Sequence, residues 1–399
     1  MSRKTNDWIK SFLKYTDNSE PPEMYRMWTA ISVIAAVLQR KCYLNWGEIT
    51  FFPNMYVVLV GPSGRCRKGT AMGVGSKFLR ELGIKMASEA ITREALIREL
   101  AGTETMDVDP DTNRQYFHSS LTVFAQELTV FLGYNNLTLI SDLTDWYDCR
   151  DEWTYRTKGM GTDNINGVWV NLIGATTPDL VRSALPQDAV GGGLSSRIVF
   201  VFEENKGKIV AAPFLSTEDQ ALRKDLLDDL EKIHMLRGEF SVTEQFIEKW
   251  IEWYTYEDSH PPFQGDERFD GYTNRRPNHV MKLSMIICAA QSDEMVMTKS
   301  HLEQAIKILE RTELKMPYTF TGYGLAENAD VTARIMALIK KAGDKGMSKN
   351  HIFKLQQHNI TSSQQLTDII TKLQMIGFCK YKIDTGMIYY INSFEDKYQ

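Results

Sequence analysis

The chain has 399 residues, is 43% apolar and 24% charged, and carries a net charge of −5. Those values describe a globular protein of two to four domains and exclude both a disordered chain and a uniformly basic nucleic-acid binder. Five cysteines without paired spacing (Cys42, Cys66, Cys149, Cys288, Cys379) and seven histidines without a ligand motif argue against a disulfide frame or a structural zinc site.

In chain order, the first 47 residues read as helices. Trp8, Ile9, Phe12 and Leu13 share one face, Pro21-Pro22 interrupts, and Met24 to Leu38 starts again. The apolar run from Met27 to Leu38 is too short to span a bilayer and holds Thr29 and Ser32. No charged-then-apolar leader opens the chain, so a cytoplasmic, membrane-free location is expected.

From Phe51 to about Glu204, short strands alternate with helical or irregular segments, the pattern of an α/β fold with a mainly parallel sheet. The expected strands are Met55–Gly61, Leu121–Ala125, Val168–Gly174 and Ile198–Glu203. From Leu215 to Pro317 the spacing is helical: Ala221–Leu236, Phe246–Tyr256, Val280–Ala290 and Leu302–Leu314, with a loop at His260-Pro261-Pro262.

The tail differs. Val331–Lys341, a short helix capped by Ser348, and Ser362–Gln374 precede a hairpin of Phe378–Ile383 and Met387–Ile391. Three short helices and a two-stranded wing make a winged-helix module. From Asn328 onward ten Lys and Arg oppose six Asp and Glu, a net of +4 that leaves −9 on the rest. The expected divisions are residues 1–50, 51–210, 211–325 and 326–399.

The chemistry concentrates in MYVVLVGPSGRCRKGTA, from Met55 to Ala71. An apolar strand, a Gly-rich turn and a helix opening on Lys-Gly-Thr form a cradle for phosphate oxygens. The expected cradle is Gly61, Pro62, Ser63, Gly64, Arg65, Cys66, Arg67, Lys68, Gly69 and Thr70. Lys68 reaches the outer phosphates of ATP, and Thr70 supplies a hydroxyl for Mg²⁺. The spacing is one residue longer than G-x-x-x-x-G-K-[ST], with Arg67 at the last glycine and Gly69 at the hydroxyl position.

Such a loop needs an acid. LTVFAQE ends on Gln126 and Glu127 where related sites carry two acids, so Glu127 is the metal organiser or the catalytic base. Glu89, the last residue of an expected second strand MASE (Met86–Glu89), is the candidate for the other role. Thr177, ending WVNLIGATT, is placed to meet the terminal phosphate or the attacking water. Arg197, after a triple glycine, has two readings: a cation for the transferring phosphoryl group, in trans an arginine finger, or a structural ion pair. In CRDEWTYRTKG, Arg156 and Lys158 among aromatics read as a contact to single-stranded DNA or as a hairpin with its aromatics packed inward. Arg275 and Arg276 read as phosphate sensors or as surface charge.

With these residues assembled, the chain resembles a family of phage and mobile-element P-loop ATPases, long labelled a domain of unknown function and related to RecA-like hexameric helicases. The resemblance runs from Pro21 to Leu314 on FPNMYVVLVGPSGRCRKGT, AQEL, YRTKG, NLIGATTPDL, GGGLSSR and NRRPNHVMKLSM. The family's loop has Arg-Lys followed by a hydroxyl pair; Arg67-Lys68 matches and Gly69 departs. The resemblance implies a RecA-like core over 51–210 in a bacterial host cell and a homo-oligomer, a hexamer by analogy. It also implies an ATP- and Mg²⁺-dependent helicase on single-stranded or forked DNA with a primase or other replication partner. Lys372, Lys380 and Lys382 are the winged-helix candidates for DNA. The alternative function is a nucleotide-switched helicase loader or origin-binding ATPase without unwinding. A serine hydrolase lacks support, since Gly-Leu-Ser-Ser-Arg has no trailing glycine.

Overall fold

In a computed structural model of the chain, the described residues are 3–391 except 111, 135, 158–160, 186–190, 321–328, 358, 359, 361, 376, 377, 383 and 384. They form two compact units, Met1–Thr321 and Gly322–Gln399. The first three of the four expected divisions are therefore one body. The reason is burial: helix α2 (Glu23–Leu38), preceded by α1 (Trp8–Tyr15), is buried on every side from Met24 to Leu38. An apolar helix without a solvated face belongs inside a core, so it cannot stand apart as an N-terminal domain.

That core is built on a sheet of β1 (Tyr56–Val60), β2 (Glu104–Val108), β3 (Gln115–Ala125), β4 (Val168–Thr176) and β5 (Ile198–Phe202). Their order is β2–β3–β4–β1–β5, parallel except for the β2–β3 pair. Met55–Gly61, Leu121–Ala125, Val168–Gly174 and Ile198–Glu203 are present as strands, since Val57–Val60 and the whole of β4 are buried on both faces. Of the expected strand MASE, only Met86 pairs, in an isolated bridge. The exposed strand β2 is an addition. So is the small hairpin Cys42–Trp46/Ile49–Phe51, where helix was expected.

Helix α3 (Lys68–Glu81) follows β1. Farther on lie Thr217–His234, Glu244–Ser259, α4 (Asp270–Gln291) and α5 (Lys299–Glu313). Arg276, nearly fully buried on α4, forks onto Glu313 of α5 (Nε–Oε1 2.7 Å, Nη2–Oε2 2.8 Å) and stands 2.6 Å from Glu257. It clamps three helices together and is neither a phosphate sensor nor surface charge.

The second unit holds helices Ala329–Ala342, Lys349–Gln356 and Ser363–Met375. Its strands Cys379–Lys382 and Met387–Tyr390 pair antiparallel, and Met347–Ser348 adds a third to the expected two. Ile335, Ile339, Ile352, Leu366, Ile369, Leu373 and Ile388 close its core. Ser348 caps the second helix by accepting from the His351 N–H at 3.2 Å. Lys372, Lys380 and Lys382 are exposed. No described helix is long and apolar enough to cross a membrane.

Candidate functional site

Parallel pairing brings the ends of β1, β3, β4 and β5 to one edge of the sheet. Strand β1 there enters residues 61–67. The Gly61 N–H donates to Thr176 O at 3.3 Å, and Glu203 N–H donates to Val60 O at 3.0 Å, which ties the turn to both neighbouring strands. Gly61 is obligatory: a Cβ would lie 2.3 Å from Glu203 O, 2.6 Å from the Tyr25 hydroxyl and 2.9 Å from Cys66 Sγ. The Tyr25 hydroxyl donates to Val60 O at 2.7 Å, and the Cys66 thiol donates to Glu203 O at 3.0 Å. The buried helix α2 thus props the turn from beneath, and Cys66 is a strut within it.

The turn rises to an exposed tip at Ser63–Arg65 and re-enters through Arg67, which is left-handed (φ 57°, ψ 36°) before the helical Lys68. A left-handed residue beside a right-handed one aims successive N–H groups into one concavity, a nest for anions. Among the described residues, no protein acceptor takes the N–H of Gly64, Cys66, Arg67, Lys68 or Gly69. Arg67 is held in its unusual conformation by Glu20, whose Oε2 accepts from Arg67 Nε at 2.7 Å. Lys206 lies 2.5 Å from the other oxygen of Glu20, and hydrogen bonds from Lys206 and Arg67 hold the Glu20 carboxyl down at about 2.

Lys68 lies across the turn, its ammonium donating to Gly61 O at 2.6 Å and Pro62 O at 3.2 Å. Burial lowers its pKa, against an opposing pull from Cys66 and from Glu127. That last interaction links loop and acid strand. Strand β4 separates β1 from β3, so β3 ends about two strand spacings, ~10 Å, from the loop strand. Gly174 of β4 admits the turn after β3: a Cβ there would meet Leu128 Cδ1 at 2.9 Å. Glu127 is exposed at the N-cap of Leu128–Leu132 without making a side-chain cap bond.

Gln126, not Glu127, faces the start of α3, its Oε1 3.2 Å from the position of a Cβ on Gly69. Thr70 is exposed, about 100° farther round the helix. Thr177 caps Pro178–Ala184, accepting from the Leu180 N–H at 3.4 Å. Glu89 lies exposed on a bend past Met86, which bridges in parallel to Thr122 of β3.

Other expected residues lie elsewhere. Arg197 precedes β5 and so stands at the opposite, amino edge of the sheet. It is buried, donating to Asp148 Oδ2 at 2.7 Å and Gly193 O at 3.0 Å. It is a structural ion pair rather than a hand extended to a phosphate. Arg275 approaches the same Asp148 at 3.7 Å. Tyr155–Thr157 of YRTKG lie in the strand Glu152–Thr157, paired antiparallel with Gly161–Asn166. Trp153 packs edge-on against Trp146, and Arg93 lies over Tyr155, so both aromatics face the body and do not offer themselves to bases. Arg156 is exposed on the other face; Lys158 lies outside the described residues.

Two cavities of similar size flank the sheet. One of about 610 Å³ opens at the amino edge near Arg40, Phe52, Arg150 and Gly167. Its Arg40 and Arg150 are paired with Asp151 and Asp145 at 2.6 Å each, and it is remote from the loop. The other, about 650 Å³, includes Pro62 of the loop itself. Sequence reasoning did not anticipate it, because its walls come from residues 22, 62, 202–207, 315 and 318.

Neither a family model nor a curated protein sequence matches the chain.

Proposed function

We propose that this chain is a RecA-like P-loop ATPase that drives movement on DNA during phage or mobile-element replication. One observation carries the proposal. A nest of N–H groups unclaimed among the described residues and a half-buried lysine sit at the carboxyl edge, and the acid strand ends one intervening strand away. That separation leaves room for a terminal phosphate and an attacking water between Lys68 and Glu127. Ligands gather at the carboxyl ends of parallel strands for this reason.

The residues fit a nucleoside triphosphate. The nest and Lys68 would grip the phosphates and offset their charge, and Lys68 would exchange its present carbonyl partners for phosphate oxygens. Glu127 would take a proton from the attacking water, with Glu89 as the second carboxylate candidate. A Mg²⁺ ion would find the Gln126 carboxamide oxygen and the Thr70 hydroxyl as donors, joined by Glu127 where Glu89 serves as the base, and would offset charge on the phosphates. In a ring of copies, Lys68, Thr70 and Glu127 act in cis. Burial of Arg197 removes it as the trans-acting arginine.

The second unit supports a DNA-directed reading through its helix order and three-stranded wing, the winged-helix arrangement. Its exposed Lys372, Lys380 and Lys382 suit a phosphate backbone. The loss of Arg197 as a finger favours, as second reading, a nucleotide-switched loader that binds DNA without unwinding it. Both are tested by ATP hydrolysis and displacement of a forked duplex, with Lys68→Ala as control. Displacement lost in Lys68→Ala supports the motor; hydrolysis without displacement supports the switch. Full displacement by Lys68→Ala overturns the phosphate-loop reading.

A further inference from the structure

We infer that the 650 Å³ cavity beside the phosphate loop is a nucleoside subsite in which a base stacks on Tyr318; this rests on the triphosphate reading above. The cavity volume falls within the range of small-ligand pockets, roughly 300–1,000 Å³. It is lined among others by Pro22, Pro62, Phe202, Asn205, Lys315 and Tyr318. Pro62 belongs to both the cavity and the phosphate loop, so the two sites are continuous.

Direction follows from strand order. The loop strand β1 has β4 on one side and β5 on the other. The acid comes from beyond β4, so the reactive end of a triphosphate must point that way. The nucleoside must then leave the loop on the β5 flank, where the cavity lies.

The wall on that flank is pre-built. The turn Met316–Phe320 runs along β5 with its aromatic side chains in step with the strand's. Phe320 packs on Phe200 with ring centroids 5.0 Å apart, and Tyr318 packs on Phe202 at 5.6 Å. Phe320 also meets Phe269 at 5.4 Å, and Met316 is fully buried. The turn is therefore anchored at both ends, while Tyr318 between them keeps 56% of its surface exposed. A large aromatic, rigidly mounted and left half in water, offers a platform for a base. Asn205 places a carboxamide, both donor and acceptor, in the same cavity. Lys315 stands at 2.6 Å from Glu203 and Lys206 at 2.5 Å from Glu20. The cavity is thus not a bare cationic patch that would take any anion.

The test titrates the full-length protein with Mg²⁺-ATP and, separately, with Mg²⁺-tripolyphosphate, which has the phosphates and no nucleoside. Tyr318→Ala is expected to weaken ATP about tenfold and to leave tripolyphosphate within twofold of the parent. Tyr318→Trp is expected to restore ATP affinity. Unchanged ATP affinity in Tyr318→Ala, or equal loss of both ligands, would overturn the subsite while Lys68→Ala still abolished binding of both. If instead Lys68→Ala left both ligands bound, the phosphate-loop reading itself would fall and the subsite with it.

Discussion

Gly69 and Gln126, 57 positions apart in the chain, face each other at the carboxyl edge, the carboxamide oxygen 3.2 Å from where a Cβ on the glycine would sit. Gly69 stands where the phosphate-loop pattern has a hydroxyl, and Gln126 stands where an acid is usual. The two departures are therefore one local change: a side chain that keeps its reach but not its charge covers a position that lost its hydroxyl. Restoring Gly69→Ser or Gln126→Asp singly is expected to gain little in Mg²⁺-ATP turnover. The double variant should show a coupling of about 1 kcal/mol or more, in the range for residues in contact. A double-mutant cycle on turnover reads this directly; strict additivity would show the pair to be independent.

Glu127 and Glu89 compete for the role of general base. Glu127 acts on Lys68 electrostatically, whereas no such link joins Glu89 to the loop among the described residues. Glu127→Gln is expected to retain ATP binding and lose about 10²-fold or more in turnover, with Glu89→Gln falling less than tenfold. Single-turnover hydrolysis separates the two.

Arg197 is expected to behave as a structural residue. Arg197→Ala strips Asp148 of a partner at 2.7 Å and opens space beside Tyr147, whose ring lies 5.9 Å from the guanidinium carbon. A loss of about 2 kcal/mol in unfolding free energy is expected, with turnover per folded molecule near that of the parent. A selective loss of hydrolysis at full stability would return Arg197 to the active site.

Gly61→Ala is expected to destabilise by at least about 2 kcal/mol, because three atoms on two separate elements and on the loop itself lie within 2.9 Å of the added carbon. Two of them are a strand-end carbonyl and a buried hydroxyl that cannot swing aside. Thermal melts would register it before any nucleotide is added.

Lys282 supplies a pH test. Its ammonium is buried, donates to Asn54 Oδ1 and lies 4.2 Å from the centre of the Tyr147 ring. Burial drops its pKa from 10.5 to about 8. Between those values the unfolded chain holds the proton and the folded one does not, so this group makes stability rise with pH from about 8 to 10.5. Below 8 both states are charged and the penalty is complete. Lys282→Met removes the gain: relative to the variant, the parent should become more stable by roughly 2 kcal/mol between pH 7 and pH 10. Urea midpoints at both pH values check the sign.

How much was readable varied with the distance over which the physics acts. Val57–Val60 spells a strand and Ala71, Val74, Phe78 and Leu82 spell a helix, because each residue reports its own burial at the period of its element. The sequence around Trp153 and Tyr155 allows two interpretations, and only Trp146 and Arg93, from other segments, decide that these aromatics face inward. Strand β2 is not legible in the sequence because its side chains are mostly exposed and its alternation is only two apolar residues long, Met106 and Val108, neither of them buried.

The strand, the turn, the lysine opening a helix and the carboxylate ending a later strand are all inscribed in the linear order of residues. They depend on preferences that act over a few neighbours. Tertiary structure alone decided what faces what: Gln126 over Gly69, Asp148 claiming Arg197, Tyr318 carried 256 positions along the chain to the flank of Pro62. Such pairings follow from the order in which strands assemble into the sheet. That order is set by the total burial of the assembled core, and no short stretch of sequence contains it.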